Sequence, residues 1–282
     1  MMHVRFGAMG TGIEAWCPDE ASAETLRAWF EEVESVCSRF RPDSELSRVN
    51  RCSGGAVVVS EMFFEVMKAA DRARTLTDGM VDAGVGSAVA GWGYDRTFNQ
   101  VTGTDRPPPP SPTPEWTLDS ARRLVRAAHT RFDLGGIAKG WSCDRAVEAE
   151  MASVVSAGGD IRSVDPDTTV PVIDPWGGIA VHIRLGAGGL ATSSTSRRRW
   201  KVGTRDVCHV IDPRSMEPVS SPILSATVVA ESAADAEAGA KAVLLHGVDG
   251  LAWADGTDWI ESAVVVWHDG SVYATPGIEV AA

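Results

Sequence analysis

Four short segments carry residue types able to do chemistry. The first is Asp133-Leu134-Gly135-Gly136-Ile137-Ala138-Lys139-Gly140, between an expected strand and an expected helix. Glycines admit close backbone approach, and a helix start offers unpaired N–H groups at its positive end, which suits a phosphate. Lys139 adds a point charge. The run is neither a Walker A loop nor a G-x-G-x-x-G fingerprint, and the same glycines equally serve a tight turn that holds no ligand. The second is Cys208-His209-Val210-Ile211-Asp212-Pro213-Arg214. It reads either as a base beside a polar partner or as a structural histidine before an ordinary Asp-Pro turn. The third, Ala191 to Trp200, sets Thr192, Ser193, Ser194, Thr195 and Ser196 before Arg197, Arg198 and Arg199. Hydroxyls followed by arginines fit a diphosphate, and they also fit a solvated basic turn on an acidic protein. The fourth, Gly158-Gly159-Asp160, reads as a hairpin turn or bulge.

Such residues need elements to hold them. Residues 3–16 alternate weakly, as a strand broken by a glycine-rich turn from Gly7 to Gly12. Leu26, Trp29, Phe30, Val33, Val36, Cys37 and Phe40 recur at three-and-four spacing, which predicts a helix over 20–39. A polar loop from Arg41 to Gly55 leads to a short strand, Val57 to Val59. Ser60 then caps a second helix with Phe63, Val66, Met67 and Ala70 on one face. Residues 103–114, GTDRPPPPSPTP, form an extended proline-rich surface loop. Arg126 to Leu134 reads as a strand, followed by a helix through Met151. Further strands are expected at 153–157, 178–185, 223–230, 261–267 and 271–274, with a helix from Ser232 to His246. Helices set among β hairpins predict an α+β fold rather than a strict βαβ array.

The composition narrows the function. With 26 Lys and Arg against 38 Asp and Glu, the 282-residue chain carries a formal charge of −12. Such a balance argues against a nucleic-acid partner, since phosphate backbones are bound by cationic side chains. A local cradle still holds a small anion. Hydrophobic residues at 44% and charged ones at 23% exclude a disordered chain. Cys17, Cys37, Cys52, Cys143 and Cys208 form no C-x-x-C pair, so reduced thiols are expected rather than a disulfide framework or a zinc site. The start, MMHVRFGAMGTGIEAW, has no apolar stretch of a signal peptide. No run approaches the roughly 20 apolar residues of a membrane span. A cytoplasmic protein with no transmembrane segment is expected.

Taken in order, the segments resemble the FAD:protein FMN transferase family, the ApbE-like flavin transferases. Beside the runs above, the resemblance is carried by Met9-Gly10-Thr11, by Phe40-Arg41-Pro42-Asp43-Ser44-Glu45-Leu46-Ser47-Arg48-Val49-Asn50, and by Val81-Asp82-Ala83-Gly84-Val85-Gly86 with Gly93-Tyr94-Asp95. Ser225 to Ala230, leading into the helix with Glu237 and Lys241, completes it. It implies one α+β domain over residues 1–282. It also implies an enzyme that cleaves FAD, joins FMN through its phosphate to a Thr or Ser of an acceptor flavoprotein, and releases AMP. Alternatives within it are a degenerate FAD-binding protein without transfer, or a pyrophosphatase giving FMN and AMP.

The resemblance also assigns residues. Met9 and Phe40 would pack on FAD, and Met80-Val81-Asp82 would meet the adenine side. Asp133 and Lys139 fall at dinucleotide-contact positions; by the backbone and charge reading above, Gly135 and Arg198 with its neighbours would steady the phosphates. His209 would be the general base, with an ordinary imidazole pKa near ~6.5, and Asp212 would orient it or hold water. Magnesium would be held by the carbonyl of Gly136 and by the side chains at Glu237 and Lys241. Here the sequence departs from the family, which usually has Asp and Thr at those two positions. Lys241 either supplies charge in place of part of the metal or forms an i,i+4 ion pair with Glu237. A second departure, Ala83-Gly84 in place of a common Pro-Thr, predicts a looser adenine side.

Overall fold

The computed structural model describes residues 1–52, 55–174 and 176–278. Helices and antiparallel sheets mix along the chain, as the α+β expectation required. The described residues form two compact units, 1–31 with 139–194 and 220–278, and 32–138 with 195–219.

The first unit is built on an eight-stranded sheet. Its spatial order is Met2–Ala8, Thr11–Cys17, Val154–Ala157, Asp160–Ser163, Gly188–Ser194, Ile223–Ala230, Ile260–Trp267 and Val272–Ala274. Each neighbouring pair runs antiparallel. The expected strand at 3–16 is a hairpin whose turn is only Met9 and Gly10, both at positive φ (52° and 69°). Two positive φ values at the turn centre match the twist of the flanking strands. Gly7 and Gly12 are paired in the ladder instead.

Ile223–Ala230 is buried along its whole length, the mark of a strand covered on both faces. Ala226 and Val228 pack with Ala240, Val243 and Leu244, whereas Leu224 and Val229 pack with Val172, Ile183 and Leu190. Helix Ala233–His246 lies against this strand and against Gly188–Ser194. Its first turn is heavily capped. Ser232 Oγ accepts from Asp235 N at 3.1 Å, and the Asp144 carboxylate accepts from Ala233 N at 2.8 Å and Ala234 N at 3.0 Å. These bonds satisfy amides that a helix start leaves open. Backbones also crowd there. A Cβ on Gly189 would lie 2.1 Å from Ser232 C, and one on Gly140 would lie 2.8 Å from Ala233 O.

In the second unit, Gly55–Val58, Leu124–Ala127 and Trp116–Asp119 form a three-stranded sheet with Leu124–Ala127 central. Helix Glu61–Leu76 starts at Ser60, whose Oγ accepts from Phe63 N at 3.2 Å. It buries Phe63, Val66, Met67 and Ala70, the expected stripe, together with Phe64 and Ala73. Two ribbons, Arg199–Val202 with Arg205–Cys208 and Ile211–Asp212 with Glu217–Pro218, complete the unit. Residues 105–114 of the proline-rich stretch form neither helix nor strand.

Several expectations need correction. The polar loop from 41 contains helix Glu45–Arg51, started by Ser44 Oγ accepting from Ser47 N at 3.0 Å; residues 53 and 54 of that loop lie outside the described residues. The strand expected at 126–134 ends at Ala127, and the chain turns at His129, φ 54°. The helix expected to run through Met151 is Ala138–Glu148 and stops before Glu150, φ 57°. Gly188–Ser194, central in its sheet, was not expected as a strand.

Gly189→Ala is expected to destabilise the fold by about 3 kcal/mol, because a methyl forced against rigid backbone has no room to relax. Thermal unfolding followed by circular dichroism measures this; an unchanged midpoint contradicts the close approach.

Candidate active site

Within the first unit, Lys139 is the hub of a buried charge cluster. It lies near the start of helix Ala138–Glu148. Its ammonium donates to Glu237 Oε1 at 2.6 Å and makes a short contact to Asp160 Oδ2. Lys241, one helical turn beyond Glu237, donates to the same Oε1 at 2.9 Å. Glu237 and Asp160 side chains are 2% and 4% exposed, against 13% and 17% for Lys139 and Lys241. The cluster holds two cations and two anions, so it is neutral. Opposite unit charges ~4 Å apart attract by about 4 kcal/mol at an effective dielectric of 20. Two such contacts are of the size needed to offset the several kcal/mol that one buried carboxylate costs to dehydrate.

The titration directions follow. Burial pushes the Glu237 carboxyl up, but Lys139 and Lys241 outweigh it and hold the group well below the usual range. Asp160 is raised, first by burial and then by the negative charge of Glu237. Burial alone would lower the Lys139 value, and its two carboxylates more than reverse that. Asp144 is pushed up to about 6 by burial, against the pull of the amides it caps.

The sequence places Asp160 in a chemistry-bearing glycine turn but does not name its partner. Gly158 and Gly159 do form that turn, at φ 65° and 111°, while the aspartate beside them holds Lys139. Met9 sits at the tip of the first hairpin, half-buried against the neighbouring core, with Ser142 Oγ 3.9 Å from its sulfur.

Within the second unit, Asp133 braces the glycine-rich turn. Its Oδ1 accepts from Gly135 N at 2.8 Å, and its Oδ2 accepts from Arg39 Nε at 2.8 Å. Gly135 is exposed and Gly136 half-buried. Arg39 escaped the sequence reading, and only its place beside Phe40 hinted at it. Its side chain is 10% exposed, with the guanidinium 4.1 Å from the Phe40 ring centre and 4.5 Å from that of Tyr94. Its Nη2 is buried without a hydrogen-bond partner among the described residues. Phe40 lies past the helix end at Cys37, so it is not the last apolar position of that helix. It packs on Tyr94 at 5.5 Å between ring centres.

Met80 and Val81 are buried. Asp82 Oδ1 accepts from Gly84 N at 2.7 Å and from Trp116 Nε1 at 2.8 Å, so that oxygen is already engaged. The expected looseness at Ala83-Gly84 is not found. A Cβ on Gly84 would lie 2.5 Å from Pro114 Cβ and 2.8 Å from Thr130 Cγ2, so the end of the proline-rich segment fills the space. Arg198 is half-buried in a turn at φ 49°, flanked by exposed Arg197 and Arg199. His209 is half-buried, directly after strand Arg205–Cys208. Asp212 is clasped by Arg214, whose Nη2 donates at 2.7 Å and whose Nε donates at 3.0 Å. Burial raises its pKa, and Arg214 more than reverses the effect.

The side chains that the resemblance offers to magnesium do not fit it. Glu237 Oε1 already takes two ammoniums, and a protonated lysine has no lone pair to donate. Among the described residues no group of three or more His, Cys, Asp or Glu converges on a point.

The α+β chain matches one class of known proteins. The ApbE family profile matches residues 9–264. The chain is 27% identical to the FAD:protein FMN transferase of Vibrio cholerae, over 90% of this chain and 83% of that one. It is 26% identical to that of Haemophilus influenzae, over 82% and 74%. Among solved structures, the flavin transferase ApbE from Vibrio cholerae superposes with a TM-score of 0.77 at 25% identity, covering 98% of this chain and 97% of that one. The ApbE protein of Thermotoga maritima gives 0.84 at 23% identity, with coverage of 98% and 97%, a likeness of fold. The chain belongs to the ApbE family. Among the described residues no helix is long and apolar enough to cross a membrane.

Two measurements probe the buried charges. Lys139→Met strands Asp160 beside Glu237 and is expected to cost about 3–5 kcal/mol in urea unfolding; a cost under ~1 kcal/mol contradicts the hub. Asp144, with its folded value near 6 against an ordinary 3.8, favours its protonated form in the fold. Its contribution is therefore full below about pH 4 and declines as pH rises to about 6, by about 3 kcal/mol in all. Stability of the protein relative to its Asp144→Asn variant, measured across that interval, should fall with pH. A flat difference refutes the shift.

Proposed function

We propose that the protein is a flavin transferase. It takes FAD, forms a bond between the FMN phosphorus and a Thr or Ser Oγ of an acceptor flavoprotein, and releases AMP as the pyrophosphate P–O bond breaks. The observation that carries this reading is the family match over residues 9–264, which runs through each of the four chemical segments. Named relatives with the same activity support it.

Phosphoryl transfer asks for an aligned nucleophile and for stabilisation of spread negative charge, with little covalent help. In this reading His209 accepts the proton of the attacking hydroxyl. Asp212, held by Arg214, sets the turn that follows His209 and does not itself carry the proton. Gly135 and Gly136 let the backbone approach the phosphates, and Lys139 and Arg198 supply cationic N–H groups. Asp133 acts through the turn it braces and through Arg39. Met9, Phe40, Met80, Val81 and Asp82 line the rest of the dinucleotide, Asp82 through the oxygen that Gly84 and Trp116 leave. No step is routed through magnesium, because the side-chain donors do not suit it. The five cysteines are free thiols, the state a reducing compartment maintains, and a cytoplasmic site of action rests on that.

The test is incubation with FAD and a Thr-bearing acceptor flavoprotein, following AMP release and in-gel flavin fluorescence. AMP together with a fluorescent acceptor is expected. AMP alone indicates hydrolysis to FMN, and FAD retention without AMP indicates a binding protein; either overturns the transferase reading. His209→Ala should retain FAD while transfer falls by about 10²-fold or more; undiminished labelling removes His209 from the chemistry.

A further inference from the structure

Glu237 and Lys241 occupy the two helix positions at which the family resemblance expects oxygen ligands for a divalent cation. In this chain Glu237 Oε1 is shared between Lys139 at 2.6 Å and Lys241 at 2.9 Å. We propose that the Lys241 ammonium takes the place of the divalent cation, closing the Glu237 position to metal and leaving the chain to hold a diphosphate without one.

Three observations carry the assignment. First, the Lys241 contact is not a loose surface pair: Glu237 is 2% exposed and Lys241 17% exposed. Second, the cluster is already neutral with Lys139, Asp160, Glu237 and Lys241 all charged, so a divalent ion would add two positive charges beside two fixed ammoniums. Third, lysine has no lone pair for a hard cation, whereas its N–H groups suit phosphate oxygens. The longer arm of Glu237 fits this use, because it lets one oxygen meet cations from two helices. The diphosphate half of the proposal rests on the flavin reading above, and the metal half does not.

The experiment is a titration of Mn²⁺ into the full chain without flavin, read by the electron paramagnetic resonance signal of the free ion. The wild-type protein is expected to leave that signal undiminished at equimolar metal. Lys241→Thr, and the double variant Glu237→Asp with Lys241→Thr, are expected to deplete it towards one ion per chain; the double variant guards against poor folding of the single one. Stoichiometric binding by the wild type overturns the proposal. So does silence of folded variants, since Lys241 would then not be what excludes metal. In parallel, FAD affinity followed by flavin fluorescence should agree within about twofold in EDTA and in magnesium, and a tenfold loss in EDTA overturns metal independence. If FAD binds under neither condition, the flavin reading fails, and the manganese titration still decides the role of Lys241.

Discussion

One ammonium holds two buried carboxylates that belong to different elements. Lys139 reaches Asp160, at the start of a strand, and Glu237, in a helix 98 residues along the chain. A carboxylate buried without a partner is costly, so each of these acids requires the lysine to be where it is. That requirement ties strand Asp160–Ser163 and helix Ala233–His246 to the same ammonium. It also bears on where helix Ala138–Glu148 begins: displacing its first turn would strand Asp160 and leave Glu237 to Lys241 alone.

Close packing around the start of helix Ala233–His246 serves the same end. Gly140, next to Lys139, and Gly189, on the neighbouring strand, both let backbone meet backbone at the first residues of that helix. Asp144, one helical turn after Gly140, closes the amides of Ala233 and Ala234. Six of the helix's fourteen residues are alanine, and eleven of the fourteen are buried. Small side chains allow the near approach, and the caps satisfy the backbone groups that burial would otherwise leave open. Glu237 is thus presented from a support with little freedom to shift.

What could be read from the sequence was what rests on local pattern. Strand Ile223–Ala230 was legible because it is a run of small and aliphatic residues after Pro222, and the helix after it was legible from Ser232 to His246. Gly188–Ser194 was invisible for the opposite reason: GGLATSS has almost no strand propensity, and only the ladders on both sides make it a strand. The helix at Glu45–Arg51 was hidden by its polar composition, although Ser44 was there to cap it. In the site, Lys139 stands out by its place in the glycine-rich run and Glu237 by resemblance, while Asp160 is visible only as the end of a glycine turn, without its partner, and Arg39 not at all. An Asp after two glycines and an Arg before a Phe are ordinary locally. Their burial and their partners, Lys139 for one and Asp133 with two aromatic rings for the other, are set by residues 21 and 94 positions distant.

The spacing of Glu237 and Lys241 left two readings open, a stand-in for metal charge or a plain ion pair of a few tenths of a kcal/mol. Burial separates them. The small value belongs to pairs in water, where both partners are solvated and screened. Glu237 is removed from water and shares its oxygen with a second cation, so Lys241 compensates an acid that one lysine would have to serve together with Asp160. Counted by charge, Lys139 alone leaves the cluster one unit negative, and Lys241 brings it to zero. A divalent ion in place of Lys241 would leave the group positive by one. The lysine therefore changes more than a ligand type: it changes the net charge that a bound phosphate would meet. It also makes that charge part of the folded chain, present whether or not metal is in solution.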